Sequence, residues 1–375
     1  MSKVTVIVIV TAAAIVFIAG CERNVTGDVE IIYDDVSSGC LECHSDGSGP
    51  SQGVLGQFEY SVHGSGNNTN GNRLTSPNYV SCERCHTHEG LIAEVTGVPA
   101  DGDHFSAFNC FTCHEPHSNG DFRLRVNETI TLENGANYDK GNSNMCAFCH
   151  HSRRDVNEYI SDGVRLSSHW GPHHSNQSDM LAGTNAYEYA GFDYTGSWHE
   201  SGVTNGCPSC HMAASQHESV GGHSWNMKNE ERDFENTSGC NVEGCHIASP
   251  VASVDRETIS DFDGDGEVEG VQTEMHDMLD SLAVLLVAAG FIDEDHHPIN
   301  GVTVSTADSA GALYNFLFIE EDRSVGVHNT AYAVSLLRSS INFLNTGDPN
   351  GMAQSPDVAD FREARITSAE IVPSN

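Results

Sequence analysis

The stretch Cys110-Phe-Thr-Cys113-His114-Glu115-Pro116-His117 carries the pattern on which the chain is organised: two cysteines three residues apart, with a histidine directly after the second. The same form recurs as Cys40-Leu-Glu-Cys43-His44, Cys82-Glu-Arg-Cys85-His86, Cys146-Ala-Phe-Cys149-His150 and Cys207-Pro-Ser-Cys210-His211. A longer version, Cys240-Asn-Val-Glu-Gly-Cys245-His246, follows them. Two thiols one helical turn apart can add to the two vinyl groups on one porphyrin edge, and the next residue, His, then lies under the ring and ligates its iron. Zinc would call for a second Cys or His pair at each site and would not demand the adjacent histidine. A thioredoxin-like redox pair would occur once, beside a strand–helix unit. The repeats therefore point to covalent haem, with His44, His86, His114, His150, His211 and His246 as proximal ligands. For residues 240–246 the alternative is a small disulfide loop beside an ordinary histidine. Gly244 would let the longer loop bulge without strain, and the 13 cysteines divide into six pairs plus Cys21 only if this stretch counts.

Outward from the motifs, the chain divides into four parts. Residues 1–20 read as a lipoprotein signal peptide: Lys3 precedes an apolar run over 4–18, short of the about 20 residues of a membrane span. Ile18-Ala19-Gly20-Cys21 resembles a bacterial lipobox, which predicts cleavage before Cys21 and lipidation of its thiol; an uncleaved transmembrane anchor is the alternative. Glu22 stands where an aspartate would retain a lipoprotein at the inner membrane, so the expectation is the outer membrane, facing periplasm or cell exterior. Residues 21–39 form an acidic tether, 40–248 a multihaem domain, and 249–375 a cysteine-free helical subdomain. In the last part, apolar periodicity predicts helices over 275–289, stopped by Gly290, over 308–320, and over 329–344 with Asn329 as N-cap. The expected fold class is mainly α with extensive irregular loop, a haem-packed core plus the C-terminal helical subdomain.

Composition agrees with this picture. With 36 glycines the chain is rich in loop, and a loop-rich chain needs a staple; bound haem rings would supply the missing apolar core. The haem-free chain is accordingly expected to be largely unfolded. Lys and Arg number 17 against 53 Asp and Glu, a net charge of −36. That excludes a nucleic-acid partner, which needs a basic surface, and favours basic proteins or cations.

Of 21 histidines, the six proximal ones leave 15 for six distal positions, whereas methionines number only 8. Bis-histidine ligation is thus expected in preference to His/Met, which would raise the potential. Ser61-Val-His63 and Ser197-Trp-His199 repeat a Ser-x-His pattern, and His117 follows a proline turn. His174, in Trp170-Gly-Pro-His173-His174, and His223, two residues before Trp225, stand near aromatic rings suited to packing on a porphyrin. His328 sits just before a helix. These six are the expected distal ligands, with His88, His104, His173 and His276 in reserve. Finally, Asp261, Asp263, Asp265 and Glu267 follow the spacing of a calcium loop, but Gln272 occupies the place of its bidentate glutamate. Calcium and a plain acidic turn both remain open.

The motifs make the chain similar to multihaem c-type cytochromes. Cys82-Glu-Arg-Cys85-His86-Thr-His88 and Cys113-His114-Glu-Pro-His117 resemble segments of outer-membrane cytochromes of metal-reducing bacteria. Cys210-His211-Met212 followed by His223-Ser-Trp225, with Gly326-Val-His328-Asn329, resembles the ammonia-forming nitrite reductase and octahaem reductase group, in which late histidines are distal ligands. The resemblance implies electron transfer through six c-type haems in a membrane-anchored respiratory or extracellular chain. Its implied partners are other cytochromes, a porin–cytochrome conduit or an extracellular metal acceptor. The other reading is a multihaem reductase of a small nitrogen or sulfur oxyanion. None of the six motifs ends in the lysine that marks that group's catalytic site, and a reductase needs an iron with an open face.

Overall fold

The structure, a computed structural model, describes residues 50–64, 82–100, 105–116 and 122–351. The 40–44 motif, the leader, Cys21, the tether, His104 and His117 lie outside these residues.

The first two thirds of the described chain is a succession of short helices joined by loop. They are α1 (Pro50–Glu59), α2 (Glu83–His86), α3 (His88–Thr96), α4 (Cys110–Cys113), α5 (Ser143–Ala147), α6 (Val156–Tyr159), α7 (Gln177–Leu181), α8 (Trp198–Gly202) and α9 (Cys207–His211). Three antiparallel ribbons of two-residue strands tie loops together: β1 (Ile130–Thr131) with β2 (Asn137–Tyr138), β3 (Val164–Arg165) with β6 (Thr303–Val304), and β4 (Lys228–Asn229) with β5 (Phe234–Glu235). Ribbons this short contribute connections, not a core.

Three long helices follow: α10 (Val271–Ala288), α11 (Ala307–Asp322) and α12 (Thr330–Thr346). In α10 the buried apolar residues Val271, Met275, Met278, Leu279, Leu282 and Leu286 recur at three- and four-residue intervals, one stripe facing inward. The helix begins four residues before the sequence pattern indicates. Its N-terminal N–H groups at Gln272 and Thr273 are capped by Asp255, whose Oδ1 accepts at 2.7 and 3.3 Å. In α11 the run from Ala310 to Ile319 is buried all round, which makes it the central helix. A helix apolar on every side needs cover beyond what α10 and α12 supply.

That cover comes from earlier in the chain. Val156, Ile160, Leu166, Trp170, Met180 and Ala186 share one buried cluster with α10, α11 and α12. Tyr159 stacks on Trp170 at a centroid distance of 5.3 Å, and Tyr314 meets both edge-on at 6.1 Å. The expected division at 248/249 therefore does not divide the core, because residues 156–186 complete it. Elsewhere apolar packing is thin. Leu91, Val126 and Met145 form one small cluster, and Leu132, Tyr138, Ala147 and Leu181 another. Both lie beside motif-bearing helices. Among the described residues, no helix is long and apolar enough to cross a membrane.

Candidate haem-binding site

Each described motif folds into one tight turn. The N–H of His86 donates to the carbonyl of Cys82 at 3.1 Å, that of His114 to Cys110 at 3.0 Å, and that of His150 to Cys146 at 2.9 Å. In α4, Asn109 caps Phe111 while Thr112 bonds back to the N-cap, a reciprocal capping box. Pro208 occupies the first turn of α9, where its missing N–H costs nothing. The longer sixth motif reaches the same closure: His246 N–H donates to the Cys240 carbonyl at 3.0 Å. Its two extra residues are looped out at Gly244, whose φ of 84° favours glycine.

The histidines of these five motifs each face a second histidine. Ring centres are 6.4 Å apart for His86 and His173, 6.2 Å for His114 and His223, and 6.0 Å for His150 and His63. The remaining pairs are His211 with His328 at 6.1 Å and His246 with His199 at 6.3 Å. An imidazole nitrogen lies about 2 Å from a first-row metal it ligates, so two rings on opposite faces of one iron have centres roughly 6 Å apart. All five separations have that value. All ten rings line one connected cavity of about 2160 Å³, together with eight of the ten described cysteines and a largely apolar wall. The residues present thus fit bis-histidine haem at each described motif.

The motifs are contiguous. The Cys85 thiol contacts that of Cys149, and Cys146 contacts Cys207. Cys210 neighbours Cys240 and Cys245. Trp225 joins three sites: its ring centre is 5.0 Å from His63 and 5.5 Å from His223, and its carbonyl accepts from His211 Nδ1 at 2.8 Å.

The far ring nitrogens are held as ligating histidines require. Besides His211, His114 Nδ1 bonds the Phe122 carbonyl at 3.0 Å, His199 the Val327 carbonyl at 2.8 Å, His150 the Gln177 amide oxygen at 3.1 Å, and His173 the Ser175 hydroxyl at 3.2 Å. His328 Nδ1 donates to the carboxylate of Asp322 at 2.6 Å. Burial and the nearby His150 lower the pKa of His63 to about 4. Desolvation beside the cavity, with Arg153 next, lowers the pKa of His173 to about 4, although solvent still reaches its side chain. Both rings are therefore neutral at pH 7, the form that binds metal.

Not every expected ligand is among the pairs. His174 turns away: its side chain is 62% exposed and its Nδ1 lies 2.5 Å from Glu321. The ring opposite His86 belongs to His173, held in reserve on sequence grounds. The cause is the backbone, since His173 adopts φ 80° after Gly171 at φ 142°, and the two neighbouring rings point to different partners. His88 bonds Thr112 Oγ at 2.9 Å, and His276 lies on the exposed side of α10. Asp261, Asp263 and Asp265 bring one oxygen each within 4.8 Å of one another. Glu267 is not in that group, and the three carboxylates accept N–H groups of their own loop, from Gly264, Gly266, Asp265 and Glu267. Bonds of this kind occur in plain acidic turns and in calcium loops alike.

His328 is presented by a strained turn. Arg323, Val325 and Gly326 take φ values of 60°, 48° and 85° between α11 and α12, and a β-branched residue at positive φ is costly. A Cβ on Gly326 would come 2.5 Å from Cγ of the fully buried Met275. Gly326→Ala is expected to cost about 1–2 kcal/mol from backbone conformation alone. Thermal melting of the variant checks this; an unchanged midpoint would show that the turn relaxes freely.

Comparison with known proteins points the same way. The chain is 28% identical over 158 residues to the C-type polyheme cytochrome OmcB of Geobacter sulfurreducens, in strains DL-1/KN400 and PCA alike. The alignment covers 35% of this chain and 19% of the relative, so the chain spans about a fifth of the length of the curated relatives it matches. No family model and no solved structure matches. At the level these comparisons reach, the chain is similar to polyhaem c-type cytochromes.

Proposed function

We propose that this chain is an electron-transfer protein that holds a c-type haem at each described motif between two histidines, and a sixth at Cys40-Leu-Glu-Cys43-His44. The observation that carries the proposal is the set of five ring pairs spaced for an iron between them. When bound, haem supplies reversible one-electron exchange at its iron. The chain's part is to fix both axial rings, hold their outer nitrogens, exclude water and keep the sites adjacent. Similarity to a polyhaem cytochrome supports the same reading. Ligation by two histidines also argues for lower potentials than His/Met would give.

The N-terminal pattern supports attachment to the outer membrane through lipidated Cys21, facing periplasm or exterior. The net charge of −36 suits a basic docking partner, such as another cytochrome, a porin–cytochrome conduit or a mineral acceptor. A reductase would need a proximal histidine with no ring across from it. Each of the five described motifs has such a ring, which supports electron transfer over that chemistry.

Electron paramagnetic resonance of the oxidised holoprotein, with its intact mass, tests the assignment. The expected result is a mass carrying six haems and acylated Cys21, with low-spin ferric signals only. A high-spin signal that His44→Ala leaves unaltered would place an open iron at a described motif and overturn the pairing.

A further inference from the structure

The paired histidines differ in what holds their outer nitrogen. Six of the paired histidines have a described hydrogen bond at Nδ1, and five of these bond a neutral carbonyl, amide or hydroxyl oxygen. The sixth, His328, donates to a carboxylate. Asp322 has a fully buried side chain, its Oδ1 lies 2.6 Å from His328 Nδ1, and its Oδ2 accepts from the Ser324 hydroxyl. The arrangement is over-determined, because Ser324 Oγ also accepts from the His328 backbone N–H at 3.1 Å. Asp322 ends α11 and His328 precedes α12, so the strained turn between the helices brings the two side chains together.

A carboxylate accepting from the N–H of a metal-bound imidazole draws the proton toward itself and makes the ring a stronger donor. The ferric state gains more from that donation than the ferrous state. Burial keeps the interaction from being screened. The buried negative charge acts in the same direction, again favouring the more positive iron.

An opposite influence sits elsewhere in the row. Arg153 places Nη2 3.0 Å from Cys85 Sγ and 3.0 Å from the Cys149 carbonyl. A guanidinium there disfavours the ferric state at the 82–86 and 146–150 motifs.

We infer that Asp322 is a potential-setting residue, and that it makes the His211/His328 site the lowest in potential among the five described sites. The inference rests on the bis-histidine reading above. Its consequence follows from adjacency. The 207–211 motif lies between the 146–150 motif, through Cys146 and Cys207, and the 240–246 motif, through Cys210. A potential minimum there separates the 240–246 site from the others, so electron exchange across it is slow unless the donor is strongly reducing.

Spectroelectrochemical titration of the holoprotein, with paramagnetic resonance at each poise, tests this in the wild type, Asp322→Asn and Ser324→Ala. Spin state is read first: high-spin iron in the wild type at the 207–211 motif would defeat the ligation reading itself, separately from the inference about Asp322. With all centres low-spin, Asp322→Asn is expected to move the lowest midpoint upward and leave the others in place. Ser324→Ala, which frees an oxygen of the carboxylate, is expected to move the same midpoint downward. Opposite signs distinguish tuning from loosening of the turn, which would shift both variants alike. An unmoved lowest midpoint, a shift in a different component, or shifts of the same sign would each overturn the inference.

Discussion

Haem-free protein is expected to keep its three-helix core and to lose the motif-bearing segments. The cluster around α10, α11 and α12 contains fully buried Leu282, Leu313, Phe316, Phe318, Ile319 and Leu337, with Ile160, Leu166 and Met180 from earlier in the chain. Each large apolar side chain so buried contributes about 1.5–3 kcal/mol, and these contributions are concentrated in the three long helices and the residues that cover them. The motif segments have no comparable resource. Their clusters amount to Leu91, Val126 and Met145 in one place, and Leu132, Tyr138, Ala147 and Leu181 in another. Against them stands the conformational cost of fixing each loop residue, roughly 1–2 kcal/mol apiece. The wall of the 2160 Å³ cavity has apolar surface that a bound ring would cover. Limited proteolysis of protein made without haem attachment should therefore cut within 82–116 and 197–256, and spare 156–186 and 271–346. Circular dichroism should retain the long-helix signal. A single cooperative melt with no protected region would sink the prediction, as would survival of the motif segments. The expected cleavage pattern would narrow the expectation of a largely unfolded haem-free chain to its motif-bearing segments.

How much of this was legible in the sequence follows from the range of the interactions involved. The motifs were readable because their geometry is local: two thiols and a histidine within one turn, closed by His N–H to Cys carbonyl. Even the 240–246 variant announces itself, through the glycine that absorbs its two extra residues. The long helices were readable from periodicity, but the start of α10 was not, because Asp255 caps it from outside the helical segment. The core boundary was missed for a related reason. An all-round apolar helix such as α11 declares that it is buried, without declaring by what.

Across-ring partners are the least local feature of all. His63 meets His150, and His328 meets His211, over separations that no periodicity encodes. Aromatic neighbours and position before a helix were usable hints for His223 and His328. They could not choose between His173 and His174, since that choice depends on a positive φ at a non-glycine residue. Asp322, six residues before His328, carried no sequence signal beyond its charge.

The two adjacent histidines supply the sharpest test of that geometry. His173→Ala is expected to leave haem attached, because Cys82, Cys85 and His86 are untouched, but to remove the ring 6.4 Å from His86. One haem equivalent should then become high-spin in the ferric protein and bind one equivalent of carbon monoxide when reduced. Its potential should rise, since one imidazole donor is lost. His174→Ala should do none of this. It removes a side chain that is 62% exposed and bonded to Glu321, an interaction at the surface worth within about 1 kcal/mol. Spectra, carbon monoxide uptake and haem count should match the wild type, and melting should shift little. The reverse outcome, a high-spin haem in His174→Ala and an unchanged spectrum in His173→Ala, would mean that the bound haem turns the 171–174 backbone round. A high-spin haem in both variants would mean that the two rings exchange at one iron. Because the residues are adjacent in the chain while their rings face different partners, general folding damage does not mimic the expected asymmetry, and the pair reports directly on which ring faces His86.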